Sequence, residues 1–334
     1  PRIPSGMIST ELRSHLTESL RRSRDTVWWL VRIMVPASAL VFVLQRTGAL
    51  HLIAEWLEPL MRVVGLPGSA AMALISSVLV NLYAVIAMLP VLGIDHRQLV
   101  ILSLLCLVAH NFLVELAVTR RTGTPIRRMF IVRTAGGLLL AWVVSVLAPQ
   151  TGFWIEPVPF PGSAVTADSG ATQEALGTAL LYWARGLAIL LARVALIVSA
   201  LVILTRWLQF SGVTDRLAHA MRYPLRVLGL PASSAPAWIV ANTLGLAYGA
   251  AVLKEEAETG RLNAADGDLL NHHLGVSHSL VEDTALFAAL GAPVAWLIVP
   301  RLALAVVVVW ERRLERLLGF PTFRKHPAAS DSGP

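Results

Sequence analysis

Two pairs of polar residues lie inside strongly apolar runs of the chain. The first pair is Asn111 and Glu115, and the second is His278 and Glu282; each has a spacing of four residues. Side chains at positions i and i+4 of a helix share one face, so each pair is predicted to present its polar groups together. A carboxylate at membrane depth is costly unless it is paired or wetted. The two pairs therefore predict a substrate site, an ion path or a lock between helices.

The second pair has more polar neighbours than the first. Asn271, Gly275, His278 and Glu282 follow the spacing i, i+4, i+7 and i+11, which predicts one polar stripe along a helix. Histidine and carboxylate at this spacing suit a divalent transition metal, and they equally suit a proton relay. Further metal ligands could come from His272, His273, Asp283 and His110.

Arginines inside apolar runs support the alternative interpretation, in which the glutamates only lock helices together. Four of them are predicted to neutralise the carboxylates, namely Arg32, Arg133, Arg193 and Arg301. Because four arginines outnumber two paired glutamates, an anionic solute also stays open. Asn242, Thr243 and His110 are second-choice residues for hydrogen bonds to a solute.

The composition indicates that the solvent of this chain is lipid. Hydrophobic residues make up 55% of the 334 residues and charged residues 15%, and the mean hydropathy is +0.65. The net charge of +7 is almost all arginine at the ends of apolar runs, which indicates membrane orientation rather than nucleic-acid binding. No hydrolase motif, phosphate loop or cysteine cluster occurs, so we expect neither an enzyme nor a cofactor.

One segment of the chain is written twice. The letters PLMRVVGLP at 59–67 return as PLRVLGLP at 224–231, and the letters LVE end at Glu115 and again at Glu282. By these letters the two polar pairs align at an offset of 167 residues. The duplication predicts a membrane protein of two repeats, with its functional site where the repeats meet.

The repeats divide the chain into five predicted parts. A Pro-, Gly- and Ser-rich stretch separates the two apolar copies, and polar segments flank them. The parts are an amphipathic cytosolic lead-in at 1–26, a first repeat at 27–149, an extracytoplasmic linker at 150–173, a second repeat at 174–318 and a disordered cytosolic tail at 319–334.

Arginine placement predicts that the repeats are inverted. Flanks that are basic in one copy are uncharged in the other, and basic loops stay on the cytoplasmic side. We therefore expect a multi-pass inner (plasma) membrane protein with both termini cytoplasmic. Inversion needs an odd number of crossings per repeat, yet each repeat has four apolar runs, so one run must turn back. The predicted hairpins are 97–120 and 262–290, with tips near Ala109 and Val276, which leaves six to eight transmembrane helices. Eight full spans in parallel repeats remain the alternative.

Two landmarks resemble a known family. The letters GLP before a small-residue helix, and HSLVEDTALFAALG from His278 to Gly291, resemble the nucleoside-recognition or gate family of membrane proteins. The resemblance covers about 27–314 and implies a link to concentrative nucleoside carriers, to spore-maturation membrane proteins and to the pore region of Feo-type ferrous-iron transporters. The chain lacks the GTPase domain of the iron transporters. Copy one has Asn111 and Leu116 where copy two has His278 and Asp283, so the second copy holds more of the expected site.

The sequence therefore predicts an all-α membrane permease for a small polar solute, with nucleoside-like compounds as the first choice. A divalent-metal permease for ferrous iron is one alternative, and a non-transporting membrane scaffold for a partner protein is another. The expected partners are the lipid bilayer, the small polar solute or ion, and a second copy or another membrane protein. Nucleic acid and a resident metal are not expected.

Overall fold

A computed structural model describes residues 21–319, apart from 161–175 and from 22, 23, 26, 29, 30, 33, 37, 41 and 45. Thirteen α-helices and no β-strand are defined in that part of the chain. Residues between 21 and 46 are helical wherever they are described. The predicted lead-in and tail fall almost entirely outside the described residues, as does most of the linker.

The first half contains six helices. They are α1 (Ala49–Val63), α2 (Ala70–Leu79), α3 (Leu82–Leu92), α4 (His96–Val108), α5 (Phe112–Arg121) and α6 (Ile126–Leu147). The second half contains α7 (Leu176–Phe210), α8 (Val213–Val227), α9 (Ala235–Leu244), α10 (Leu246–Glu258), α11 (Ala264–Ser277), α12 (Glu282–Ala288) and α13 (Val294–Leu317).

Three helices are long and apolar enough to cross a membrane: α6, residues 176–200 of α7, and α13. The 22 residues of α6 extend about 33 Å, which matches the hydrocarbon thickness of about 30 Å. These helices expose large apolar side chains, including Val146 on α6, Leu196 on α7 and Val307 on α13. Such surfaces are stable only against lipid. The prediction of an all-helical membrane protein is confirmed.

Contacts at the two ends of the bundle show which way the main helices run. At one end, here called the linker end, Arg97 at the start of α4 binds the carbonyl of Ser145 near the end of α6. The indole of Trp154 in the linker lies 5.2 Å from that of Trp296 at the start of α13. At the other end, here called the arginine end, Arg128 of α6 lies 2.5 Å from Glu315 of α13. Helices α6 and α13 are therefore antiparallel.

Two pairs of short helices form hairpins that enter and leave the bundle at the same end. Helices α2 and α3 have 10 and 11 residues, about 15 Å each, which is half of a bilayer. They pack on each other, and the chain reverses at the extended residue Asn81. Helices α9 and α10 also pack side by side, since a Cβ atom on Gly249 would lie 2.3 Å from the Cβ atom of Ala241. Their reversal lies at Gly245, which has a φ of 94°.

The hairpins predicted at 97–120 and 262–290 are wrong, because both segments cross the bundle as broken helices. Helices α4 and α5 meet at a bend of only 42°, and α5 leads to the arginine end while α4 starts at the linker end. Helix α11 starts at the arginine end, where Arg316 binds the carbonyl of Ala265. The loop after α12 reaches the linker end, where Gly291 contacts His96.

The first predicted tip, Ala109, does mark a break in the helix, but the second, Val276, lies inside α11. Gly275, which was expected to permit the turn, is also helical. A Cβ atom there would lie 2.4 Å from the sulfur of Met129, so Gly275 permits close packing of α11 on α6. The chain turns back instead at α2–α3 and at α9–α10.

Helices α1 and α8 resemble each other in form. Each has 15 residues and follows a glycine with positive φ, Gly48 or Gly212. On α1 an exposed apolar stripe contains Leu52, Trp56 and Leu60, which suits a helix lying in the membrane interface. The order of elements in the two halves agrees with the predicted duplication, which itself stays a prediction.

Candidate functional site

Both broken helices are interrupted at matching positions inside the bundle. The first break contains Asn111, with a φ of 48°, and the second contains Ser279, with a φ of 52°. These are the non-glycine residues with positive φ in the described chain, and such backbone needs support from its surroundings. They lie 168 residues apart, whereas the letters LVE gave 167. The backbone therefore pairs His110 with His278, and Glu115 with Asp283.

The hairpins supply the support that the breaks require. A broken helix leaves backbone groups without partners, and in lipid these must be satisfied by protein. At the first break the amide of Asn111 donates to the carbonyl of Ser77 on α2 at 2.8 Å. At the second break the amides of Ser279 and Val281 donate to the carbonyls of Ala241 and Asn242 on α9, at 3.1 and 3.2 Å. Each hairpin thus fixes the break in its own half.

Two fully buried arginines hold the carbonyl groups at the breaks. Arg133 of α6 donates from Nε to the carbonyl of Val108 at 2.8 Å and from Nη2 to that of His110 at 2.9 Å. Arg301 of α13 donates from Nη2 to the carbonyl of His278. Both side chains are 0% exposed. They stabilise the carboxyl ends of α4 and α11, where the helix dipole is negative.

Only one of these arginines neutralises a carboxylate as predicted. Nη1 of Arg133 lies 2.6 Å from Oε2 of Glu115. Among the described residues, no carboxylate oxygen lies within 4.0 Å of the guanidinium of Arg301. Arg32 is exposed and its guanidinium stacks on Trp28 at 5.1 Å. Arg193 is exposed on α7 and takes no part in the site.

Two histidines and one glutamate meet between the breaks. Nε2 of His110 lies 3.0 Å from Oε1 of Glu115, and Nε2 of His278 lies 3.2 Å from the same oxygen. The two Nε2 atoms are 3.3 Å apart. These three atoms form a nearly equilateral triangle, and the three side chains are at most 9% exposed.

The backbone fixes the direction in which each imidazole points. Nδ1 of His278 lies 2.7 Å from the carbonyl of Leu274, and Nδ1 of His110 lies 3.1 Å from the carbonyl of Cys106. A carbonyl oxygen only accepts, so each Nδ1 carries the hydrogen and each neutral ring directs a lone pair from Nε2. Two lone pairs and a carboxylate oxygen then face one point. Such an arrangement is repulsive unless a cation, either a proton or a metal ion, lies among them.

Asp283 lies beside this triangle, whereas Glu282 does not join it. Carboxylate oxygen of Asp283 and ring nitrogens of His110 and His278 all lie within 4.8 Å of one another. Glu282 accepts a hydrogen bond from the hydroxyl of Tyr83 on α3 at 2.9 Å. The predicted i, i+4 face fails because His278 follows the end of α11 and Glu282 begins α12. We call His110, Glu115, His278 and Asp283 the polar centre.

Buried polar atoms without hydrogen-bond partners gather around the second break. In the described chain they include Oδ2 of Asp283, Oγ1 of Thr284, Nε and Nη1 of Arg301, and Oδ1 of Asn242. The amide nitrogen of Asn242 is used by the carbonyl of Trp238 at 2.9 Å, and the hydroxyl of Thr243 by the carbonyl of Ile239 at 2.8 Å. Unpartnered groups of this kind are uncommon in protein interiors.

A second polar cluster lies at the arginine end, and the sequence analysis missed its central residue. Asp268 of α11 accepts from Nε of Arg312 and Nη2 of Arg316, both at 2.8 Å, and from the hydroxyl of Thr124 at 2.9 Å. Arg128 donates to Nε2 of His272 at 2.6 Å. The sequence signal was the spacing of Arg312 and Arg316, one turn apart near the end of α13, which was interpreted only as an orientation signal.

The residues of the predicted polar stripe serve three different places. Asn271 donates to the carbonyl of Thr122 at 3.1 Å, beside the cluster of Asp268. His273 is paired with the hydroxyl of Ser277 at 2.8 Å and lies near the indole of Trp238. Of the stripe, only His278 reaches the polar centre. Asn111 contributes its backbone to the first break and no side-chain cap.

Comparison with known proteins confirms the resemblance to the gate family. Residues 27–124 match the family model Gate, described as nucleoside recognition. This range includes His110 and Glu115. The chain is also 29% identical over 290 residues to the uncharacterized membrane protein YvoD of Bacillus subtilis (strain 168), covering 85% of this chain and 89% of that protein. No solved structure matches the chain.

Proposed function

We propose that this chain is a membrane permease in which the solute passes through the polar centre. The observation that carries the proposal is the meeting of four buried ionisable side chains at two helix breaks inside an apolar bundle. Ionisable residues at such depth mark substrate or ion pathways. Broken helices at the interface between halves are typical of carriers with repeated architecture.

A purely structural lock explains less of the geometry. Arg133 already neutralises Glu115 through Oε2, so a lock would need neither of the two histidines. It would also leave Oδ2 of Asp283 and two donors of Arg301 buried without partners. Burial of such groups is unfavourable unless a ligand or water satisfies them.

The geometry favours a small cation over a nucleoside as the solute. Three ligand atoms stand 3.0 to 3.3 Å apart around one point, which leaves room for a single ion. A nucleoside-like compound needs a pocket of roughly 300 Å³ or more, so it would have to part α5 from α11. Its support is the description of the matching family model and the unpartnered atoms of Asn242 and Arg301.

We further propose that the two halves are inverted in the inner membrane, with both termini cytoplasmic. The antiparallel course of α6 and α13 supports this arrangement, as do the starts of α4 and α11 at opposite ends of the bundle. The arginine end carries Arg120, Arg121, Arg128, Arg312 and Arg316, which supports its placement in the cytoplasm.

Solute uptake by proteoliposomes tests the permease. Wild-type protein is screened against divalent cations, nucleosides and organic anions, and the accepted solute is then used with Glu115→Gln and Asp283→Asn. Both variants should lose uptake. Glu282→Gln is the matched control, because this neighbouring carboxylate bonds Tyr83 instead of the triangle, and it should retain uptake. Wild-type protein that moves no solute would favour the membrane scaffold.

A further inference from the structure

We infer that Nε2 of His110, Nε2 of His278 and Oε1 of Glu115 form a binding site for a divalent transition-metal ion. Asp283 stands as the nearest additional ligand. The identity of this ion as the transported solute rests on the proposed function, whereas its binding does not.

The spacing of the three atoms is that of ligands on one metal ion. Tetrahedral ligands at about 2.0–2.1 Å from a metal are about 3.3–3.4 Å from each other. The observed edges are 3.0, 3.2 and 3.3 Å. The triangle therefore needs only a small expansion to hold an ion on its axis, with the fourth position facing Asp283.

The surroundings orient the ligands as metal sites require. Histidine ligands almost always donate their second nitrogen to a carbonyl or carboxylate, which fixes the ring. Here the carbonyls of Leu274 and Cys106 hold Nδ1 of the two rings. Arg133 holds Oε2 of Glu115 at 2.6 Å and leaves Oε1 to the triangle. All three ligand atoms are thus positioned by the protein.

The charges near the site tolerate such an ion. Glu115 and Asp283 balance Arg133 and Arg301, and both guanidiniums also bind carbonyls at the ends of α4 and α11. The facing lone pairs require a cation in any case. Replacing a shared proton by a divalent ion raises the charge of the site by a single unit. Asp283, with Oδ2 unpartnered and its side chain 8% exposed, is aimed at the same place.

The ligand types select the class of ion. Two imidazole nitrogens with carboxylate oxygens suit divalent iron, manganese, cobalt and zinc. Magnesium and calcium prefer sites made entirely of oxygen ligands. Cys106 is buried, and its carbonyl rather than its sulfur contacts His110, so the site contains no thiolate to favour monovalent copper.

Metal binding to the purified full chain in detergent tests the site. The probe is Co²⁺, whose visible absorption reports tetrahedral coordination, with Zn²⁺ as competitor and Mg²⁺ as the negative probe. Wild-type protein should retain a single Co²⁺ ion per chain after desalting, Zn²⁺ should displace it and Mg²⁺ should not. His110→Gln and His278→Gln should each weaken Co²⁺ binding at least about a hundredfold, since loss of outer-shell partners alone costs 10–100-fold.

Two controls separate loss of the site from loss of the fold. His273→Gln changes a buried histidine on the same helix that contacts Ser277, and it should keep the bound ion. Binding to the folded state raises the melting temperature, so Zn²⁺ should raise that of wild type and of His273→Gln. It should not raise that of His278→Gln, whose metal-free melting temperature shows whether it folds.

Two results would overturn the inference: no Co²⁺ retained by wild-type protein, as expected if a proton occupies the triangle, or equal retention by the His110 and His278 variants. Co²⁺ binding without flux would leave the metal site standing and remove the permease. Flux of another solute without Co²⁺ binding would keep the permease and overturn the metal site.

Discussion

Close packing inside the α9–α10 hairpin gives the sharpest prediction. A Cβ atom added at Gly249 would lie 2.3 Å from Cβ of Ala241 and 2.8 Å from its Cα. Ordinary carbon contacts are about 3.5–4.0 Å, so Gly249→Ala must separate the two helices by more than 1 Å (about the difference between these distances). Because backbone rather than a flexible side chain is in the way, the strain cannot be relieved by a rotamer change.

The magnitude follows from two opposing effects. Alanine is favoured over glycine in a helix by roughly 0.5–1 kcal/mol, whereas overpacking a tight interior costs typically 1–3 kcal/mol. We expect Gly249→Ala to lower the free energy of unfolding by about 1–2 kcal/mol. Gly267→Ala is the matched control, since its Cβ would meet nothing closer than 3.8 Å. That variant should be neutral or slightly more stable.

Reversible unfolding in mixed micelles measures both variants, and a double-mutant cycle identifies the cause. Ala241→Gly removes the atom at 2.3 Å, so it should restore part of the stability of Gly249→Ala. The carbonyl of Ala241 also accepts from Ser279 at the second break. Solute uptake by Gly249→Ala should therefore fall together with stability. Wild-type stability in Gly249→Ala, or strict additivity in the double variant, would refute the hairpin packing described above.

Three further predictions concern charge and topology. Glu115→Gln leaves a buried guanidinium without its carboxylate at 2.6 Å, so we expect a loss of about 3–5 kcal/mol of stability by chemical unfolding; a smaller loss than that of an exposed pair would contradict the assigned contact. Asp268→Asn should cost a similar amount, whereas Glu258→Gln, whose partner Lys254 is exposed at 3.6 Å, should change stability by less than about 1 kcal/mol. In a background without the native cysteine, cysteines at exposed Arg121 and Ala289 should label from opposite faces of the membrane; labelling from one face would end the inverted arrangement.

Much of the fold was accessible from composition and charge. The all-helical membrane class follows from apolar run length, and the interfacial form of α1 follows from its amphipathic sequence. The hairpins were misplaced because the runs 69–92 and 234–253 are each long enough to span a bilayer. Their interruptions, at Asn81 and Gly245, were interpreted as residues for helix contact.

The site was accessible in part, for a related reason. The sequence indicated His110, Glu115, His278 and Asp283 among its candidates, but it grouped them by the spacing rule of a continuous helix. That rule fails where the helix is broken, so Glu282 reaches Tyr83 while Asp283 joins the centre. The repeat register was one residue short because the letters LVE match, whereas the backbone breaks match at 168.

The central claim is that a cation crosses the membrane at the polar centre. The most direct measurement is Co²⁺ entry into proteoliposomes, followed by quenching of a trapped fluorescent chelator, for wild type, His278→Gln and His273→Gln. The account predicts fast entry with wild type and His273→Gln, and entry at the protein-free rate with His278→Gln. Equal rates for vesicles with and without wild-type protein, or undiminished entry with His278→Gln, would contradict it.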